Sequence, residues 1–160
     1  MTAPYYTLYI ASLPEVLFAH RYSCSRDSWH LSVNADIVEI SACLAGTMKR
    51  TSGNSTDIFT PGELFVTPRD RPYTMEVSDG HSHVTAALAL QQDGIPAMLP
   101  RTIAASACPD ALRALMTLST SRLPSLTASA AALTLLAALD GSARAQKVEN
   151  PHYKKALSYI

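Results

Sequence analysis

Phe59-Thr60-Pro61-Gly62-Glu63-Leu64-Phe65-Val66-Thr67-Pro68-Arg69-Asp70-Arg71-Pro72-Tyr73 is the stretch that decides the fold class of this chain. Its middle, Leu64 to Thr67, is a short apolar run with turn-forming residues on both sides, which reads as a buried strand between two turns. Pro61-Gly62 suits the central positions of a type II turn, because proline presets φ and glycine accepts a positive one. Pro68 and Pro72 have no amide hydrogen to give to a neighbouring strand. The strand therefore stops near Thr67 and another starts near Tyr73. A turn, a short strand, a stiff bend and a new strand are how a small β-barrel or sandwich turns its corners.

Upstream, Asp36 to Leu44 alternates strictly, separating Ile37, Glu39, Ser41 and Cys43 from Val38, Ile40, Ala42 and Leu44. The second set is wholly apolar and should pack on another layer, while the first carries Glu39 into the space opposite. Gly46 and Ser52-Gly53-Asn54-Ser55 mark turns on either side of a strand from Thr47 to Thr51. Before these, a polar loop from Cys24 to Ser28 leads to Trp29-His30-Leu31. Glu15 to Arg21 is a strand candidate with Val16 and Phe18 on one face and Leu17 and Ala19 on the other. Tyr5 to Ala11 is a strand or extended arm, and its Tyr5, Tyr6 and Tyr9 either cover the barrel wall or close over a pocket mouth.

Downstream, Tyr73 to Val77 and His81 to Leu90 flank Ser78-Asp79-Gly80, the strongest local hairpin signal in the chain. In the second strand Val84, Ala86, Leu88 and Leu90 share one face; His81, His83, Thr85, Ala87 and Ala89 share the other. Seven or eight strands with frequent turns indicate a sandwich or barrel.

The texture changes after Gly94. Pro96 and Pro100 end the β region, and Pro109 suits the first turn of a helix in which Ala111, Leu112, Leu115, Met116 and Leu118 recur at helical spacing. Pro124 separates it from a second helix, roughly Ala128 to Asp140, stopped by Gly141. Leu133 and Leu136 lie on one side of that helix, Leu135 and Leu139 on another. A helix apolar on two sides has to be covered twice, either by a partner molecule or wholly within one subunit. Ser142 to Asn150 reads as a polar linker. Asn150-Pro151 then opens another helix, in which Tyr153, Ala156, Leu157 and Ile160 fall at helical spacing, as though a further domain were to follow.

Composition narrows the function classes. Over 160 residues the chain is 48% apolar and 16% charged, with thirteen basic residues balancing thirteen acidic ones, so it is globular and has no long-range field to attract nucleic acid. Cys24, Cys43 and Cys108 are scattered, against a disulfide framework or a structural zinc site, and the latter two sit in apolar surroundings as buried thiols. No basic-apolar leader is evident at the N-terminus, and the segment Leu126 to Leu139 is short for a membrane span. A cytoplasmic protein without a membrane partner is expected.

The order of parts resembles the N-terminal sensor domain of AraC-type transcriptional regulators. Two segments carry the likeness: Glu39 with Gly46 after it is similar to the end of the first cupin motif, and Pro61 to Pro68 to the start of the second, with the family's aromatic-or-histidine position at Tyr73. Tyr153-Lys154-Lys155-Ala156-Leu157-Ser158-Tyr159-Ile160 looks like the opening helix of that family's DNA-binding domain. The resemblance implies a mainly β chain with C-terminal helices. A cupin-like double-stranded β-barrel over 1–95 would bind an effector, a helical dimerisation pair would occupy 96–141, and 142–160 would hold a linker and the start of a DNA-binding domain lying outside this chain. It implies a homodimer that binds a small-molecule effector and meets DNA only through that further domain.

Metal-binding cupins carry His-x-His shortly before the motif glutamate; here those positions hold Ser32 and Asn34, and the second-motif histidine is Tyr73. A transition metal needs three or four converging ligands, so no cofactor and no enzyme activity are expected. The candidate ligand-binding residues are Trp29, His30, Glu39, Tyr73 and His83; the candidate dimer residues are Leu133, Leu135, Leu136 and Leu139. A carboxylate such as Glu39 facing a barrel interior needs a partner, from Arg69, Arg71, a histidine or a ligand. The alternative is a small metal-dependent cupin enzyme, an isomerase or dioxygenase, with His81, His83 and Glu39 on the metal. No nucleophile elbow or phosphate loop is present.

Overall fold

The protein, as a computed structural model, is described over residues 4–149. Its strands are β1 (Tyr5–Ile10), β2 (Val16–Cys24), β3 (Asp27–Leu31), β4 (Ile37–Ala45), β5 (Met48–Ser52), β6 (Ser55–Phe59), β7 (Glu63–Pro68), β8 (Tyr73–Val77), β9 (His81–Ala89), β10 (Ile95–Pro100) and β11 (Thr102–Ala104). Helices α1 (Pro109–Thr120) and α2 (Leu126–Glu149) follow. Antiparallel pairing makes a five-stranded sheet in the order β11-β7-β4-β9-β2 and a four-stranded sheet in the order β3-β8-β5-β6. From β2 to β5 successive strands alternate between the two sheets, as do those from β6 to β9, the arrangement of a cupin-like double-stranded barrel.

The deciding stretch folds as its chemistry dictates. The Glu63 amide bonds the Thr60 carbonyl across Pro61-Gly62, Gly62 takes φ +92°, and β7 and β8 begin on either side of the proline bend. The Glu63 carboxylate also accepts the Thr60 amide at 2.6 Å, which locks the turn from outside. Gly53-Asn54 closes the true hairpin, between β5 and β6, where Ser52 faces Ser55. The Asp79-Gly80 turn forms too, but it is not a hairpin: β8 pairs with β3 and β5, and β9 with β2 and β4. A short turn in a two-sheet fold can hand the chain from one sheet to the other, and local sequence does not distinguish the two outcomes.

The five-stranded sheet has two different faces. Val38, Ile40 and Ala42 of β4 and Val84, Ala86 and Leu88 of β9 point away from the barrel and are fully buried against the helices, where Leu115, Leu118, Leu135 and Leu139 meet them. The opposite face looks into the barrel. There Phe65 stacks on Phe59 of the other sheet, centroids 3.8 Å apart, in a cluster with Met48, Tyr73, Met75 and Val77. Cys43 and Cys108 are buried thiols as expected, and Cys24 is partly covered.

Several expectations need correction. The β region does not end at Pro96: β10 and β11 follow, with β10 pairing the N-terminal strand β1 in a separate two-stranded sheet and β11 extending the main sheet along β7. Proline is tolerated there because these are outer strands. Asp27–Leu31 is a strand although the sequence suggests a loop for its first residues, and Ser55–Phe59 is another although the sequence signals only a turn at its start. A bulge between Val16 and Phe18 puts Val16 and Ala19 on the helix-facing core and turns Phe18 inward. The aromatic arm covers the wall: Tyr6 packs on the core under the Arg101 guanidinium, and none of its tyrosines lines the main cavity.

Gly141 does not stop α2, and 142–149 is helix instead of linker. Asp140 accepts the Met98 amide at 2.7 Å and pairs with Arg144 one turn later, while Ala143 is fully buried, so tertiary contacts carry the helix past the glycine. The stretch Leu126–Lys147 is then long and apolar enough to cross a membrane, but its buried leucines pack on the barrel core. The expected linker end and DNA-binding helix at 150–160 lie outside the described residues.

Candidate functional site

A cavity of about 360 Å³ opens between the two sheets. Period-2 alternation supplies its walls. From the five-stranded sheet come Phe18, His20 and Tyr22 of β2, Glu39 and Ser41 of β4, Thr67 of β7, and His83 and Thr85 of β9. From the other sheet come Asp27, Trp29 and Leu31 of β3, Met48 of β5 and Met75 of β8, and Arg69 closes one end from the proline bend.

At that end Glu39 is nearly enclosed, and Arg69 donates to its Oε1 at 3.0 Å. Burial pushes the Glu39 carboxyl above its ordinary range, against the pull of the Arg69 charge. Arg69 is itself held by Ser32, whose carbonyl takes Nε and Nη2 and whose hydroxyl lies 3.2 Å from Nη2. No protein donor reaches Glu39 Oε2 among the described residues. Between the ends, Ser41 and Thr85 share a hydroxyl hydrogen bond of 2.8 Å.

The other end is aromatic. Trp29 stacks on His83 at 5.9 Å, Tyr22 meets Trp29 edge-on at 6.0 Å, and His20 stands 6.2 Å from His83. The Tyr22 hydroxyl donates to Asp27 at 2.6 Å; that bond holds the phenol up to about 12 and the Asp27 carboxyl below its usual range. His83 is buried, its Nδ1 2.7 Å from Nε2 of buried His81. Burial, with smaller contributions from His81 and His20, brings His83 down to about 4, so both imidazoles are neutral at neutral pH.

Of the candidate ligand residues, Trp29, Glu39 and His83 line the cavity, and Glu39 has found Arg69. His30 and Tyr73 do not line it. His30 is exposed on the outer face of β3, bonded to Thr74, because its neighbour Trp29 points inward. Tyr73 is buried in the inner cluster with the Arg50 guanidinium over its ring. His81 and His83 are both buried. Of the residues sequence reading left out, Thr85 and Ser41 shared faces already drawn. Phe18 was hidden by the bulge, and Tyr22, Asp27 and Met75 by the assignment of strands to sheets.

The metal-site alternative does not fit this geometry. His83 faces Cys43 across the sheet, and Glu39 lies four residues further along the same strand, ~13 Å away at ~3.3 Å per residue. Ligands to one metal stand ~2 Å from it, and His81 and His83 already bond each other. Among the described residues no three His, Cys, Asp or Glu side chains are grouped to hold a metal.

The dimer candidates divide. Leu135, Leu136 and Leu139 are buried inside the subunit, whereas Leu133 is 42% exposed and Leu126, two helical turns earlier, 86%. Both sides of α2 assigned to those leucines are thus largely covered from within.

No protein-family profile matches the chain, and no curated protein does. Solved structures do. Unsaturated fatty acid-bound ToxT from Vibrio cholerae aligns with a TM-score of 0.47 at 10% identity, over 84% of this chain and 55% of that one. The AraC-like transcriptional activator CuxR gives 0.35 at 14% identity over 61% of this chain and 32% of its own. The cupin_2 domain of an XRE family transcriptional regulator from Enterobacter cloacae gives 0.37 at 11% identity, over 54% and 96%. This chain thus spans about a third of CuxR and about half of ToxT. By its own strand order it is a mainly β, cupin-like barrel with C-terminal helices.

Proposed function

We propose that this chain is the effector-sensing and dimerisation part of a cytoplasmic transcriptional regulator, with a small molecule taken up between its sheets. The observation that carries the reading is the cavity itself: an aromatic end at Trp29 and His83 and a nearly enclosed acid at Glu39, with no converging metal ligands among the described residues. A small-molecule site has this composition, mostly apolar with a few placed polar groups.

The sheet offers a route for the signal. Glu39, Ser41, His83 and Thr85 touch the cavity, while Val38, Ile40, Val84 and Ala86, their immediate neighbours on β4 and β9, touch the helical layer. A ligand that favours one placement of these strands biases how α1 and α2 are held. That is allostery only if the ligand binds the two arrangements with different affinity. In this proposal α2 contributes the dimer contact through its outward residues, Leu126 and Leu133, and DNA is met by a further domain outside the chain. The test is thermal unfolding of the purified chain across a metabolite panel, with Trp29 fluorescence as second readout. A ligand that binds the folded state raises its melting temperature. A panel with no hit, or hits unaffected by substitutions at Glu39 and Thr85, rules the reading out.

A further inference from the structure

We infer that the cavity selects an organic ammonium ion: an apolar, ring-bearing amine whose nitrogen donates to Glu39 Oε2 and whose body lies toward Trp29. This deepens the sensing proposal and rests on it. Three observations point the same way.

The first is the sign of the lining. Glu39 and Asp27 are acidic, and Arg69 is the one arginine or lysine on the wall among the described residues, so the formal balance of these three is negative. Arg69 is largely occupied: it makes four hydrogen bonds, three to Ser32 and one to Glu39, which leaves one Nη1 hydrogen uncommitted. A ligand carboxylate or phosphate that took that hydrogen would stand beside the Glu39 carboxylate, and like charges in a poorly hydrated space repel strongly. The second is the acceptor. Glu39 Oε1 takes Arg69, but among the described residues Oε2 meets no protein donor and Glu39 lines the cavity, which leaves an acceptor open to whatever the cavity holds. A ligand N–H that reaches it completes the hydrogen bonding of a nearly enclosed carboxylate. The third is the far wall. Trp29, Tyr22 and Phe18 present aromatic surface, whose faces attract cations and stack on rings. His83 supplies no positive charge there at neutral pH, since burial holds it neutral.

The reach is set by the strands. Arg69 ties the Glu39 end to Ser32, three residues beyond Trp29 on the same strand direction, or ~10 Å at ~3.3 Å per residue. An amine separated from a ring by several methylenes spans that distance.

Three probes of equal shape decide the matter in the full chain: 4-phenylbutylamine, 4-phenylbutan-1-ol and 4-phenylbutyrate, each titrated at pH 7.5 against Trp29 fluorescence and thermal unfolding. The expected order is amine, then alcohol about tenfold weaker, then carboxylate with no detectable binding. Glu39→Gln is expected to bring the amine down to the alcohol's affinity and to leave the alcohol unchanged. The wild-type series settles the sign even where that variant fails to fold. Equal affinities, or the carboxylate tightest, overturn the inference while leaving a ligand-binding cavity and the sensing proposal standing. No binding by any probe, with a metabolite panel that does give a hit, overturns the inference alone. No binding by probes or panel removes both.

Discussion

Nε2 of His81 lies 2.7 Å from Nδ1 of His83, and both rings are buried in the barrel wall. One proton fits between them. Adding a second would place an imidazolium beside another imidazole in a site that water barely reaches, with His20 close on the far side.

This pair makes stability depend on pH with a defined sign. The folded value for His83, about 4, is depressed from 6.5. Between those values the unfolded chain binds more protons than the folded one, so stability rises with pH over that window and is lost as pH falls through it. A depression of that size corresponds to ~3 kcal/mol. The buried Glu39 works in the opposite direction, since its raised carboxyl favours the folded state on acidification just above the ordinary carboxylate range. Urea unfolding at pH 7.0 and 5.0 should show a net loss toward acid, and His83→Gln should flatten it. An unchanged slope in that variant sinks the assignment.

A second relationship binds the two sheets together. Arg50 of β5, 2% exposed, donates through Nη1 to the Val66 carbonyl at 2.8 Å and to Thr67 Oγ1 at 2.6 Å, and through Nε and Nη2 to Asp57. Its guanidinium also lies over Phe59 at 5.0 Å and Tyr73 at 5.4 Å. A lysine keeps the charge but has neither the fork nor the flat face. Arg50→Lys should therefore cost ~3 kcal/mol, at the low end of the ~3–5 kcal/mol for breaking a buried charged pair, since the lysine keeps the charge. Chemical unfolding measures it, and a loss under 1 kcal/mol would contradict the role given to Arg50.

Arg50 also shows where sequence reading stops. The strand Leu64–Thr67, its two turns and both faces of β4 and β9 were legible, because prolines, Gly62 and strict alternation are local signals. Arg69 is also one of the partners that the sequence offers Glu39. What alternation cannot say is which strand joins which sheet. Asp79-Gly80 has the chemistry of a hairpin and serves as a crossover, and Trp29 meets His83 only because β3 and β9 end up on opposite walls. Asp140 holding the β10 amide of Met98 is likewise a long-range fact, and it overrides Gly141.

The N-terminal arm depends on one missing side chain. A Cβ on Gly94 would sit 2.5 Å from the Ile10 carbonyl oxygen, a contact with backbone that no rotamer relieves. Gly94→Ala should loosen β1 from β10, seen as faster amide exchange over Tyr5–Ile10, while β4 and β9 stay protected. Unaltered exchange in the arm would show that the loop absorbs the methyl elsewhere.

The two kinds of leucine on α2 give separable outcomes. Leu139 is fully buried against the barrel core, so Leu139→Ala should destabilise the chain by ~2–5 kcal/mol through lost burial and the cavity left behind. Leu133 is 42% exposed, beside a shallow apolar groove formed with Ile95, Pro96 and Leu136. A charge there costs the isolated subunit little, within about 0.5 kcal/mol. If α2 supplies the dimer contact, Leu133→Glu opposes a like charge across the two-fold axis and shifts sedimentation velocity toward monomer at unchanged monomer stability. A dimer that survives Leu133→Glu with the same association constant places the contact on another face, and monomeric wild-type protein at high concentration removes it altogether.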